Sequence, residues 1–168
     1  NVYLATTAYG IDGTTTTLHQ FSVDAEEASA DLKAVGSVPG TLLNQFALDE
    51  HDGNLRVVMS QGWGEERTNS LFVLEATDTD LNVIGSIDEI ATGESVFAVR
   101  FMGDEAFVVT FRVIDPLFTI DLSDPKNPTI GGELKIPGFS NYLHPISEDL
   151  LIGLGRDDGG WRDNPQLS

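Results

Sequence analysis

Short apolar runs recur along this chain in a fixed order, and three stretches, residues 18–40, 71–93 and 117–138, carry nearly the same pattern. In each, an apolar strand ends on an acid (Phe21-Ser-Val-Asp24, Phe72-Val-Leu-Glu75, Phe118-Thr-Ile-Asp121), a polar loop follows, and a glycine-containing strand runs to a closing glycine. Between them lie residues 44–58, 97–109 and 142–154, each reading as a mixed apolar strand, an acidic corner and a more uniformly apolar strand. The corners are residues 49–53, 103–105 and 147–149. The continuous runs, residues 55–59, 106–109 and 150–154, suit strands covered on both faces. They are too short for buried helices, rich in Val, Phe and Ile, and bounded by Gly and Asp turns.

Counted this way, one unit contains four strands. The closing glycines Gly40, Gly93 and Gly138 stand 53 and 45 residues apart, near the period of about 40–50 residues that marks four-stranded propeller blades. The expectation is an all-β fold, a β-propeller of four-stranded antiparallel blades, present as about three and a half blades of a larger ring. It forms one domain over residues 1–168, with blades at residues 1–40, 41–93, 94–138 and an incomplete 139–168. The first unit lacks its first strand, since Val2-Tyr-Leu-Ala5 aligns with the second strands, and the last stops near Leu167-Ser168, where a third strand begins. Open blade edges at both ends invite self-association, including assembly as the subunit of a fibre or lattice.

Charge changes the picture more than composition does. The 168 residues carry 27 acids against 9 bases, a net charge of −18. Self-repulsion on this scale destabilises a compact chain at low salt and keeps it soluble at high salt, where charges are screened over a few ångströms. The balance fits a salt-adapted organism. It opposes nucleic-acid binding, because no Lys and Arg cluster is available to hold a phosphate backbone, and it opposes anionic membranes for the same reason. Cysteine is absent, which removes disulfides and thiolate metal sites. No apolar run approaches the roughly 20 residues of a transmembrane helix. The chain begins directly in a strand without a signal peptide, so a leader, if the protein is exported, lies outside this segment.

Candidate chemistry is sparse. On the innermost strands, which line a propeller's channel, the sequence places Asn44, Gln45, Arg100 and His144, a set suited to an anionic or sugar-like ligand held by convergent hydrogen bonds, or to satisfying backbone groups at the hub. Asp157, Asp158 and Asp163, in a glycine-containing loop, are the calcium candidates, because calcium takes several hard oxygens on a flexible loop. Their spacing does not match an EF-hand, and Arg156 and Arg162 offset some of the charge. Trp63 and Trp161 follow glycines and suit partner contact or packing on a neighbouring blade. His19 and His51 stand in no zinc-ligand spacing. Nucleophile-elbow, phosphate-loop and dinucleotide motifs are missing. The loop Ser123-Asp-Pro-Lys-Asn-Pro128 reads as structural, its prolines fixing φ and its Asp and Asn capping the turn.

The segment Asp115-Pro-Leu-Phe-Thr-Ile-Asp-Leu-Ser-Asp-Pro-Lys-Asn-Pro128, with Gly132-Glu-Leu-Lys-Ile-Pro-Gly138 and Tyr142-Leu-His-Pro145, resembles the secreted β-propeller domain proteins of archaea and bacteria, distant relatives of WD-repeat propellers. Residues 38–46, 100–104 and 151–155 carry the resemblance over most of the chain. It implies a propeller fold and an extracellular or envelope location, and it brings no catalytic residues. The expected function is a non-catalytic binding or scaffolding module whose partner is a protein or surface polymer. The alternative is a calcium-dependent propeller hydrolase.

Overall fold

The computed structural model describes residues 1–11, 13–111, 115–136, 139–147, 150–156 and 165–167. These residues form four consecutive antiparallel sheets. The first comprises β1 (Val2–Gly10), β2 (Gly13–Asp24) and β3 (Ser29–Pro39) in sequential order. In the second, β4 (Thr41–Leu42) and β5 (Leu48–His51) both pair with β6 (Asn54–Gln61), which is followed by β7 (Thr68–Ala76) and β8 (Leu81–Ile90). The third is a plain four-stranded meander of β9 (Ser95–Met102), β10 (Glu105–Phe111), β11 (Asp115–Asp121) and β12 (Thr129–Ile136). The fourth joins β13 (Phe139–Ser147), β14 (Leu150–Arg156) and β15 (Pro165–Leu167). The all-β architecture of successive blade-like sheets is the one the repeat predicts.

Alternation along the middle strands explains how the sheets stack. Successive side chains of a strand point to opposite faces, and in the second sheet both faces are apolar. Leu55, Val57 and Met59 on β6, with Phe72 and Leu74 on β7, pack towards Leu18, Ala34 and Val38 of the first sheet. Their alternates Val58, Leu71 and Val73 pack with Val99, Phe101, Ala106 and Val108 of the third. The third sheet repeats the device, turning Ala98 and Val109 to Leu143 of the fourth. Continuous apolar runs in the sequence are thus strands sandwiched between neighbouring sheets.

One expected strand is interrupted. The sequence reads as strand from residue 44, but Gln45–Ala47 form a 3-10 turn. Asn44 causes the break: its side-chain oxygen accepts the Phe46 amide at 2.9 Å, satisfying a donor that a strand would give to its neighbour.

Two of the three strand-ending acids, Asp24 and Asp121, hold the turns that follow them. Asp24 accepts the amides of Glu26 and Glu27 at 2.8 and 3.0 Å. Asp121 accepts the Ser123 amide at 2.9 Å, and Asp124 takes the Lys126 amide at 3.0 Å and the Asn127 side-chain amide at 2.8 Å. Hydrogen bonds from the Ser123 side chain and amide hold Asp121 below the ordinary carboxylate range, and those from the Asn127 side chain and the Lys126 amide do the same for Asp124.

Candidate functional site

Two places gather chemistry-bearing side chains. The first lies on the leading strands of the third and fourth sheets. Arg100 on β9 donates through Nε to the Leu143 carbonyl at 3.0 Å and through Nη2 to the Tyr142 hydroxyl at 3.1 Å, both on β13. Its guanidinium also lies 4.5 Å from the ring centre of Phe46 and 5.4 Å from that of Tyr142, while the two rings meet edge to face at 5.4 Å. Tyr142 in turn contacts His144 Nδ1 at 3.2 Å through its hydroxyl.

Of the four residues the sequence places at the hub, Arg100 and His144 therefore join one network, linked by Tyr142. Asn44, the cap of the 3-10 turn, and Gln45, its first residue, precede Phe46 and are themselves exposed. Phe46 and Tyr142 were not legible as site residues. Only the i, i+2 spacing of Tyr142 and His144, which puts both on one face of a strand, hints at the arrangement. Chemically the cluster fastens three sheets, because the guanidinium is engaged by two oxygens and two aromatic faces.

The second place is the cleft beside the β6–β7 connection. Trp63 is held out at 83% exposure, preceding a 3-10 turn at Gly64–Glu66. Gly62 (φ 77°) and Gly64 (φ 58°) bracket it in the left-handed region, and a Cβ at Gly62 would come within 2.6 Å of the Glu66 carbonyl oxygen, so glycine is needed there. Arg67 lies against the indole at 5.9 Å and donates to the Ser95 hydroxyl. Its backbone carbonyl accepts the Gly93 amide at 2.8 Å.

This cleft, about 340 Å³, is lined by Tyr9, Thr41, Ser60, Gln61, Trp63 and Arg67 among others. Tyr9, from the first sheet, is 76% exposed. A second cleft of about 420 Å³, bounded by Ser95, Phe97 and Phe111, meets the first at Arg67. The hydroxyls are oriented from within: Thr41 donates to the Ser60 carbonyl at 3.2 Å and Ser60 to the Asn69 side-chain oxygen at 2.7 Å. Having given up its single donor, each hydroxyl keeps lone pairs to offer.

Trp161, Asp157, Asp158 and Asp163 lie outside the described residues. Among the described residues no three His, Asp or Glu side chains converge to hold a metal ion. His51 instead meets acids of two hairpins, with Nε2 at 3.7 Å from Asp52 and 3.3 Å from Asp104 of the third sheet. That pairing joins residues far apart in sequence. No helix among the described residues is long and apolar enough to cross a membrane.

Comparison with known proteins places the chain in a family. A family model described as "Beta propeller domain" matches residues 1–167. A protein of Methanocaldococcus jannaschii, described only as uncharacterised, is 52% identical over 128 residues, covering 74% of this chain and 20% of that protein. One from Archaeoglobus fulgidus, described in the same way, is 53% identical over 133 residues, covering 78% of this chain and 20% of its own length. The chain thus spans about one fifth of the length of these relatives.

Proposed function

The chain belongs to the β-propeller domain family, and from that premise we propose that it serves a non-catalytic binding and scaffolding propeller, displayed outside the cell or on the envelope of a salt-adapted organism. The partner is a protein or surface polymer, and the Trp63 cleft is where it docks.

The carrying observation is Trp63 itself, a large aromatic 83% exposed on a turn between two glycines in the left-handed region, with Arg67 over its ring. Tryptophan is among the side chains that most often anchor an interface. Stacked sheets supply rigidity, and the connections between strands supply specificity. The net charge of −18 supports the salt-adapted setting.

Co-sedimentation of the full-length protein with cell envelopes of its source organism, in molar salt, tests this reading. Wild type is expected to sediment with the envelopes and Trp63→Ser to remain largely in the supernatant. Equal sedimentation of the two proteins, or none by either, overturns it.

A further inference from the structure

Building on that reading, we infer that the Trp63 cleft takes a neutral sugar ring of a polysaccharide or glycan. The ring stacks on Trp63 and gives its hydroxyl protons to the cleft's oxygen atoms.

Arg67 places a guanidinium in the cleft, over one face of the indole at 5.9 Å, and a cationic ligand would meet a like charge there. Polyanions face Glu65 and Glu66 in the adjoining turn and a chain of net charge −18. A neutral ligand avoids both penalties.

Hydrogen-bond polarity then narrows the class. Thr41 and Ser60 have committed their donors inside the protein, so the ligand must donate to them, as polyol hydroxyls do. Gln61 adds an amide with both donors and acceptors. Tyr9 and Trp63, both largely exposed, supply apolar faces of the kind that covers the C–H side of a pyranose.

The cleft also has somewhere to continue. The neighbouring one, beyond Arg67, contains the edge-to-face pair Phe97 and Phe111 at 5.7 Å. A linear oligosaccharide can extend across Arg67 from one cleft to the other, whereas a monosaccharide fills only the first.

Calorimetric titration of the full-length protein with maltohexaose, cellohexaose and mannohexaose, beside oligogalacturonate and spermidine, tests the inference. At least one neutral hexasaccharide is expected to bind saturably, more tightly than its disaccharide. Its affinity should fall at least tenfold in Trp63→Ala and measurably in Tyr9→Ala, with thermal midpoints unchanged because both side chains are exposed. No saturable binding of any neutral hexasaccharide, equal or tighter binding of the charged probes, or unaltered affinity in Trp63→Ala overturns it. Periodate oxidation of the envelopes, which destroys vicinal diols, separates this inference from the one it rests on. Trp63-dependent sedimentation that survives periodate and disappears after protease treatment overturns the glycan and leaves the docking site standing.

Discussion

Gly85 on β8 lies directly beneath Pro125 of the next sheet: a Cβ added to Gly85 would stand 2.3 Å from the Pro125 carbonyl oxygen. Gly36 on β3, its counterpart in the first sheet, has the same relation to Leu81, whose carbonyl oxygen would be 2.4 Å from an added Cβ. In both cases the connection between the third and fourth strands of one sheet crosses the last strand of the sheet before it. The Gly36 crossing is also stitched by the Val35 amide, which donates to the Thr79 carbonyl at 3.0 Å. The recurring glycine in the repeat's last strand is thus explained by close approach between sheets.

Replacing Gly85 or Gly36 by alanine should therefore destabilise the fold by about 1–3 kcal/mol, the usual cost of overpacking against a neighbour that cannot withdraw. Gly131→Ala is the control, because its nearest atom, the Thr119 hydroxyl oxygen, is 3.3 Å away on a rotatable side chain. Thermal unfolding in high salt should show lower midpoints for the first two variants and near-wild-type behaviour for the third.

A buried arginine joins the second and third sheets. The Arg56 side chain is 5% exposed, pairs with Asp49, donates to the Gly103 carbonyl at 2.6 Å and covers the Phe101 ring at 5.1 Å. Arg56→Met removes the cation while leaving the carboxylate and carbonyl without it, and should cost about 3 kcal/mol. Asp49→Asn, at a half-buried position, keeps an acceptor but leaves the buried guanidinium without its counter-charge, and should cost a comparable amount. A denaturant titration of the two variants against wild type checks both.

Asn69 organises the turn that closes the second sheet. Fully buried, it donates to the Ile90 and Glu94 carbonyls at 3.0 and 3.1 Å and accepts from the Ser60 hydroxyl. This turn includes Glu89 and Ala91 at φ 58° and 48°, a backbone region that non-glycine residues rarely occupy. Asn69→Ala should lower stability by about 2–3 kcal/mol, as expected when buried carbonyls lose their donors. It should also loosen Ser60, so saccharide affinity is expected to weaken alongside the thermal midpoint.

Alkaline pH provides a test at the first sheet. Burial, reinforced by the Glu50 carboxylate, pushes the Tyr3 phenol up to about 12 from 10.0, while Gln20 donates to its oxygen at 2.8 Å. A folded-state pKa above the unfolded one stabilises the fold below pH 10, and that stabilisation is lost as pH rises from 10 to 12. Melting curves across this window should fall more steeply for wild type than for Tyr3→Phe.

Acid pH should act in the opposite sense on the loop between β11 and β12. Hydrogen bonds depress Asp121 and Asp124, so their contribution is present above the ordinary carboxylate pKa of about 4 and is lost as pH falls through the lower folded values. Amide exchange at Ser123 and Lys126, whose protons these carboxylates accept, should lose protection in that range, and Asp124→Asn, which has no carboxyl to protonate, should abolish this pH dependence at Lys126.

The sequence by itself determined the repeat, the strand order within each sheet and the two-sided burial of the middle strands. Period-two alternation and the spacing of turn residues are local properties, and a strand apolar on both faces needs a neighbour on each side. It also marked Trp63 through its flanking glycines and Arg100 through its place in a leading strand. What each residue meets depended on how the sheets stack. Arg100 reaches Tyr142 only because β9 and β13 lie side by side, His51 reaches Asp104 across two hairpins, and Gly85 is crowded by a loop forty residues further along. The 3-10 turn at Gln45–Ala47 escaped because a single side-chain hydrogen bond from Asn44 outweighs the strand pattern around it. Contacts between residues distant in sequence leave no periodic trace, so the tertiary structure alone decided which polar groups fasten the sheets and which stay exposed.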